Sequence, residues 1–257
     1  MENFNQTITL IFGDCAENSV GMEQIGHKVL QGYTMDELVT LHEKIDSEIV
    51  IFEHPEDPEY KEAGVLIIRN GVNQLMSGFN VNDLYDEVSN LDFDKKALMR
   101  GTVKNKLMRY NLCFSDFTQE PDYLSGKGRV YNIDDLASLK NLRDGLKSFI
   151  GNKLEKLYCE GNQYYDLNKC GIGFHGDAER HVTIGVRLGA PMKLVFSWFK
   201  NCKMIGKLQE FEFFHGDIYI MSEKAVGSDW RKRSVYTLRH TAGCEKYVKK
   251  QIQTAKK

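Results

Sequence analysis

No run of apolar residues in this 257-residue chain approaches the roughly 18 needed to cross a bilayer as a helix, and no basic segment followed by an apolar core opens it. A soluble intracellular protein, cytoplasmic or nuclear and with no membrane partner, is the expectation. A strong charge of one sign is also missing: 34 Lys and Arg stand against 36 Asp and Glu, for a formal net charge of −2. The six cysteines (Cys15, Cys113, Cys159, Cys170, Cys202 and Cys244) include no C-x-x-C pair, which argues against a structural zinc site or a dithiol redox motif and leaves reduced thiols. No G-x-x-x-x-G-K-[ST] motif occurs, so a phosphate cradle of that kind is excluded. There is no internal repeat and no low-complexity tract.

What is present suits a sizeable core, with 42% hydrophobic residues, built as one large domain or two unequal ones. Local charge is uneven. Arg100, Lys104, Lys106 and Arg109 form a basic stretch, acidic residues dominate Glu53 to Glu62, and lysines fill the tail. Thr7–Phe12 and Gly64–Arg69 read as strands, with a helix opening near Thr34, whose Thr-x-x-Glu spacing fits a capping box. Asp94–Arg100 reads as helical. Leu136, Leu139, Leu142, Leu146 and Ile150 follow the three-to-four spacing of a helix packed by one face. Several short strands then run to Leu238.

The change of texture near residue 95 predicts an N-terminal α/β accessory segment over 1–95, a main β-rich domain over 96–245 and a basic tail over 246–257. The expected fold class is α+β: a double-stranded β-helix, or jelly roll, with supporting helices and that small N-terminal segment.

Chemistry concentrates in two places. His175-Gly-Asp177 follows a glycine-rich turn, and on an extended strand residues two apart project to one side, where an imidazole and a carboxylate grip one face of a metal ion. Arg233 and Arg239, six apart near the C-terminus, are each able to hold a carboxylate through paired hydrogen bonds.

From about Lys104 to His240 the chain resembles the AlkB family of 2-oxoglutarate and Fe(II)-dependent dioxygenases. The resemblance rests on Asn162-Gln-Tyr164-Tyr165, His175-Gly-Asp177-Ala-Glu179, His215-Gly-Asp217 and the arginine pair. It implies a jelly-roll core and oxidative dealkylation or hydroxylation of nucleic-acid bases, with Fe(II), 2-oxoglutarate and oxygen as cofactor and cosubstrates. By position, His175 and Asp177 become metal ligands and catalytic residues. Arg233 and Arg239 bind 2-oxoglutarate, together with Asn162 and either Tyr164 or Tyr165. Lys104 to Gly126 resembles the family's lid, which makes Arg109 and Tyr110 substrate contacts beside Glu179 and suggests nucleic acid as a partner.

The sequence departs from the family at the distal histidine ligand. None occurs between Met221 and Arg233, and the aligned position falls on or beside Asp229, whose carboxylate in place of imidazole would give a His plus two Asp site. His240 directly follows Arg239, so strand alternation turns it away from a site that Arg239 faces. His181 reaches the metal only if its strand bends sharply, and His215 lies outside the ligand set. A hydroxylase of a protein or small molecule, and a noncatalytic binding module, are the alternatives.

Overall fold

The computed structural model describes residues 4–247. The chain opens with β1 (Thr7–Gly13), a hairpin of β2 (Cys15–Glu17) and β3 (Gln24–Gly26), and α1 (Met35–His42). The capping box forms as expected: Thr34 accepts from the Glu37 N–H, and the Glu37 carboxylate accepts from the Thr34 N–H. Next come β4 (Glu48–Ile51), β5 (Gly64–Ile68), α2 (Gly71–Leu75), α3 (Val81–Ser89), β6 (Lys96–Met99), β7 (Thr102–Asn105), β8 (Tyr110–Ser115) and β9 (Val130–Asn132). The helix expected over Asp94–Arg100 is instead one arm of the β6–β7 hairpin. Its two turn residues, Arg100 and Gly101, both have positive φ (52° and 75°), the backbone of a tight hairpin turn.

The remainder is α4 (Ala137–Ile150), β10 (Tyr158–Tyr164), β11 (Gly171–His175), β12 (Ile184–Gly189), β13 (Met192–Lys200), β14 (Lys203–Met204), β15 (Gln209–Phe213), β16 (Ile218–Met221), α5 (Glu223–Val226) and β17 (Thr237–Gly243). The periodic apolar positions Leu139, Leu142, Leu146 and Ile150 of α4 are all buried.

The fold is mixed α/β, mostly strands in curled sheets with few helices. An eight-stranded sheet runs β4-β5-β16-β12-β1-β10-β8-β9, and a second runs β11-β17-β13-β14 with β15 also paired to β13. β1 lies between β10 and β12, antiparallel to both, so the first strand of the chain sits inside the sheet that later residues build. The boundary expected near residue 95 therefore does not separate a sheet of its own: β1, β4 and β5 all belong to this one. The tail expected over 246–257 lies outside the described residues from position 248 onward.

Alternation sorts the large sheet into two faces. Ile8, Leu10 and Phe12 of β1, Leu66 and Ile68 of β5, Ile184, Val186 and Leu188 of β12, and Ile218 and Ile220 of β16 pack with the apolar faces of α1, α3 and α4. The alternate residues face the second sheet. Val65, Ile67, Tyr219 and Met221 meet Leu194, Phe196, Trp198, Leu238 and Ala242 there. Not every inward position is apolar: Thr9, Glu160, Asn162 and Arg187 are buried polar residues on the same face, and they line the cavity described next. Among the described residues, no helix is long and apolar enough to cross a membrane.

Candidate metal centre

His175 closes β11, and the strand register slips between Ile172 and His175, an irregularity that re-aims a side chain at the end of a ladder. His175 then lies directly opposite His240 on β17. The residue between His175 and Asp177 must be glycine, because a Cβ on Gly176 would stand 2.1 Å from the Gly227 carbonyl oxygen. That close approach, with the Asp177 N–H donating to the Val226 carbonyl at 3.0 Å, fixes the turn against the end of α5. By letters, Gly171, Gly173 and Gly176 match a dinucleotide fingerprint, but they lie in and just beyond a strand rather than at a strand-to-helix turn.

His175, Asp177 and His240 bring one ligand atom each to within 4.8 Å of one another, a group able to hold a metal ion. Each histidine Nε2 lies 3.6 Å from Asp177 Oδ1. The His175 Nδ1–H donates to the Gly173 carbonyl at 2.8 Å, which leaves the Nε2 lone pair directed at the shared space. Burial, reinforced by the neighbouring His240, pushes the His175 imidazole down to about 3, so it is neutral, as a ligand must be. Burial raises the Asp177 carboxyl, but the His240 ring beside it, together with Arg180 and His175, outweighs that and holds it well below its usual range, so it is ionised.

These three residues line a cavity of about 250 Å³. Its opposite wall is the inward face of the large sheet, with Thr9, Asn162, Tyr164, Arg187 and Tyr219. Arg187 is fully buried at 0% exposure. Among the described residues its guanidinium makes one hydrogen bond, from Nη1 to Thr9 Oγ1, and its Nε has no partner. No carboxylate stands within ion-pairing distance of it among those residues, and burial lowers its pKa. A desolvated cation in that state is strongly unfavourable unless an anion joins it. The Tyr219 ring is held over Gly185, its partner across β12 and β16, where any Cβ would strike the ring at 1.9 Å.

No family model matches the sequence. It is 43% identical over 258 residues to the uncharacterized protein R156 of Acanthamoeba polyphaga mimivirus, a match covering 97% of this chain and 100% of the relative. The chain belongs to the family of that viral protein. The match runs nearly the whole length of both chains.

In this member of the family, the residues expected at the site divide into two groups. His175, Asp177, Asn162, Tyr164, Arg109 and Glu179 all line the cavity. Asn162 is fully engaged, accepting from Arg109 Nε at 2.5 Å and Asn111 Nδ2 at 2.6 Å and donating to Glu160 Oε1 at 2.8 Å. Of the two tyrosines, Tyr164 faces in; Tyr165 stacks on Tyr110 with centroids 4.3 Å apart, so both of those rings are used against each other.

The remaining expectations need correction. Asp229 points into a different cleft and is bound by Lys224 Nζ at 2.7 Å. Arg233 is exposed. Arg239 is buried but faces the outer side of β17, over the Phe199 and Trp230 rings, donating to the Trp230 carbonyl at 2.9 Å. His240 is the residue that turns inward. Alternation was the right rule applied to the wrong parity, since it says only that residues 239 and 240 face opposite sides. Lys106 of the basic stretch is 5% exposed and donates to Asn18 and Asn111.

The mouth of the cavity holds residues that sequence reasoning passed over. The β2–β3 hairpin places Glu17 and Ser19 there, beside Glu179 and the buried Glu160–Arg180 pair at 2.6 Å. Burial and the facing Glu179 push Glu17 up to about 7. Ionised Glu17 is thus penalised in the folded state above pH 7, whereas in the unfolded chain it ionises near its ordinary 4.5. Its contribution to stability therefore improves as pH falls from 7 toward 4.5. Glu17→Gln is expected to raise the thermal midpoint at pH 8 and leave it nearly unchanged at pH 4.5; equal shifts at both values would exclude this account.

Proposed function

We propose that the chain is a metal-dependent oxygenase that uses Fe(II) and 2-oxoglutarate, and that its sheets form a jelly roll whose eighth strand comes from the N-terminus. Counting β10 as the first strand, the central orders β10-β1-β12-β16 and β11-β17-β13-β15 read first-eighth-third-sixth and second-seventh-fourth-fifth. That is the pairing of two nested Greek keys, with β1 in the eighth place.

The observation that carries the functional reading is that the His175, Asp177 and His240 group and the unpaired Arg187 guanidinium line one small cavity. Two imidazoles and one carboxylate suit a ferrous ion with free positions on its other side. Its volume lies near the small end of the roughly 300–1,000 Å³ typical of ligand pockets, which suits a compact organic acid.

When bound, the iron would supply oxygen activation coupled to oxidation of the keto acid. The chain's own residues do the rest. Arg187, steadied by Thr9, receives the distal carboxylate of 2-oxoglutarate, and the Tyr164 and Tyr219 side chains wall that end of the cavity. Asn162 and Arg109 brace the strand beside it. The carboxylates of Glu17 and Glu179 stand at the entrance, where a substrate would enter. With Lys106 buried and Tyr110 stacked on Tyr165, the basic and aromatic stretch offers less to a nucleic acid than its composition suggests, so hydroxylation of a protein side chain or small molecule is favoured over base dealkylation.

Anaerobic titration with Fe(II) and 2-oxoglutarate tests this. A weak visible charge-transfer band that appears only with both present, and succinate formation once air is admitted, are expected. Absence of the band at high iron would sink the reading.

A further inference from the structure

The segment 228–232 is shared between two cavities. Trp230 and Arg231 line the metal cavity, whereas Ser228, Asp229 and Lys232 line a second, open cleft of about 1060 Å³. The far side of this cleft is the acidic stretch noted in the sequence, with Asp57, Glu59 and Glu62, all exposed, and its floor carries Tyr33, His181 and Glu223. Six carboxylates and three lysines line it, and one of the lysines, Lys224, is already held by Asp229 Oδ2 and the Tyr236 carbonyl.

Among the described residues, three buried polar atoms on residues of the cleft have no partner: the Tyr33 hydroxyl, His181 Nδ1 and Asp229 Oδ1. Tyr33 is 2% exposed, so water does not readily satisfy it. His181 Nδ1 stands 4.0 Å from Glu223 Oε1, beyond hydrogen-bond reach. The Asp229 oxygen can only accept, the Tyr33 hydroxyl and the His181 nitrogen can accept as well as donate, and the Tyr60 ring adds a face that attracts cations, the Tyr33 ring already lying under Lys153. A cationic donor is the one kind of group able to serve all three.

We propose that this cleft binds a cationic ligand through its ammonium or guanidinium groups. Two sources share that chemistry: a lysine- and arginine-bearing peptide segment, and a free polyamine. The cleft is larger than an ion or a single amine needs. The inference does not depend on the metal reading, because it concerns residues outside the metal cavity and is tested on metal-free protein.

The experiment measures fluorescence anisotropy of a labelled eight-residue Lys/Arg peptide, with an acidic peptide of equal length as control and spermidine as both competitor and separate ligand. Binding of the basic peptide that weakens with salt is expected, at least tenfold weaker in Asp229→Asn and in the exposed-loop variant Glu59→Lys/Glu62→Lys, with no binding of the acidic peptide. Spermidine that displaces the peptide and binds as tightly assigns the cleft to a polyamine; weak displacement assigns it to a peptide. The proposal is overturned if neither basic probe binds at millimolar concentration, if the acidic peptide binds equally, or if the loop variant, with an unchanged thermal midpoint, retains full affinity.

Discussion

His240→Ala will abolish metal binding, while Asp229→Ala will leave it intact. Removing groups that merely orient a ligand typically weakens metal affinity about 10–100-fold, so losing one of three direct ligands is expected to exceed 100-fold. Two features of the structure distinguish the residues. His240 is 6% exposed and its ring lies 4.5 Å from that of His175, with Nε2 3.6 Å from Asp177 Oδ1. Asp229 instead spends one oxygen on Lys224 and borders the second cleft. Isothermal titration with Mn(II) or anaerobic Fe(II) reads the difference directly. Wild-type affinity in His240→Ala, or its loss in Asp229→Ala, would refute the assignment.

Arg187→Met is expected to act in two opposite directions. In the ligand-free protein it removes a fully buried guanidinium with an unpartnered Nε and no counter-charge, and it leaves an apolar side chain of similar length. Replacing buried ionic groups by apolar ones of comparable volume often stabilises by about 1–4 kcal/mol, so the thermal midpoint should rise by several degrees. The stabilisation that 2-oxoglutarate gives the wild type should disappear in the same variant, because the ligand's distal carboxylate loses its cation. Differential scanning fluorimetry with and without the keto acid measures both. A lower midpoint without ligand together with an unchanged ligand response would remove Arg187 from the cavity's function.

Much of the framework was legible in the sequence because it is local. The Thr34–Glu37 capping box and the α4 stripe of Leu139, Leu142, Leu146 and Ile150 are written within a few residues of one another, and both formed as read. His175 and Asp177 were legible for the same reason. His240 was not, because the faces of β17 are set by what packs on them, Leu238 and Ala242 within and Phe199 against Arg239 without. Arg187 carries no motif of its own, standing between Val186 and Leu188 within a strand. Its significance depends on lying beside Thr9, and that pairing joins positions 178 residues apart. The Asp94–Arg100 stretch has helix-forming composition, but the positive φ of Arg100 and Gly101 and the pairing of β6 with β7 overrode it.

The position of β1 has a consequence for how the chain is made. During synthesis Thr7–Gly13 leaves the ribosome well before its neighbours β10 and β12, which begin at residues 158 and 184. Until they emerge this apolar segment, with Ile8, Leu10 and Phe12 destined for full burial, has no edge to join. Contacts so distant along the chain slow folding and prolong exposure of sticky strand surface. The nascent protein thus carries β1 unpaired until β10, and then β12, has been translated.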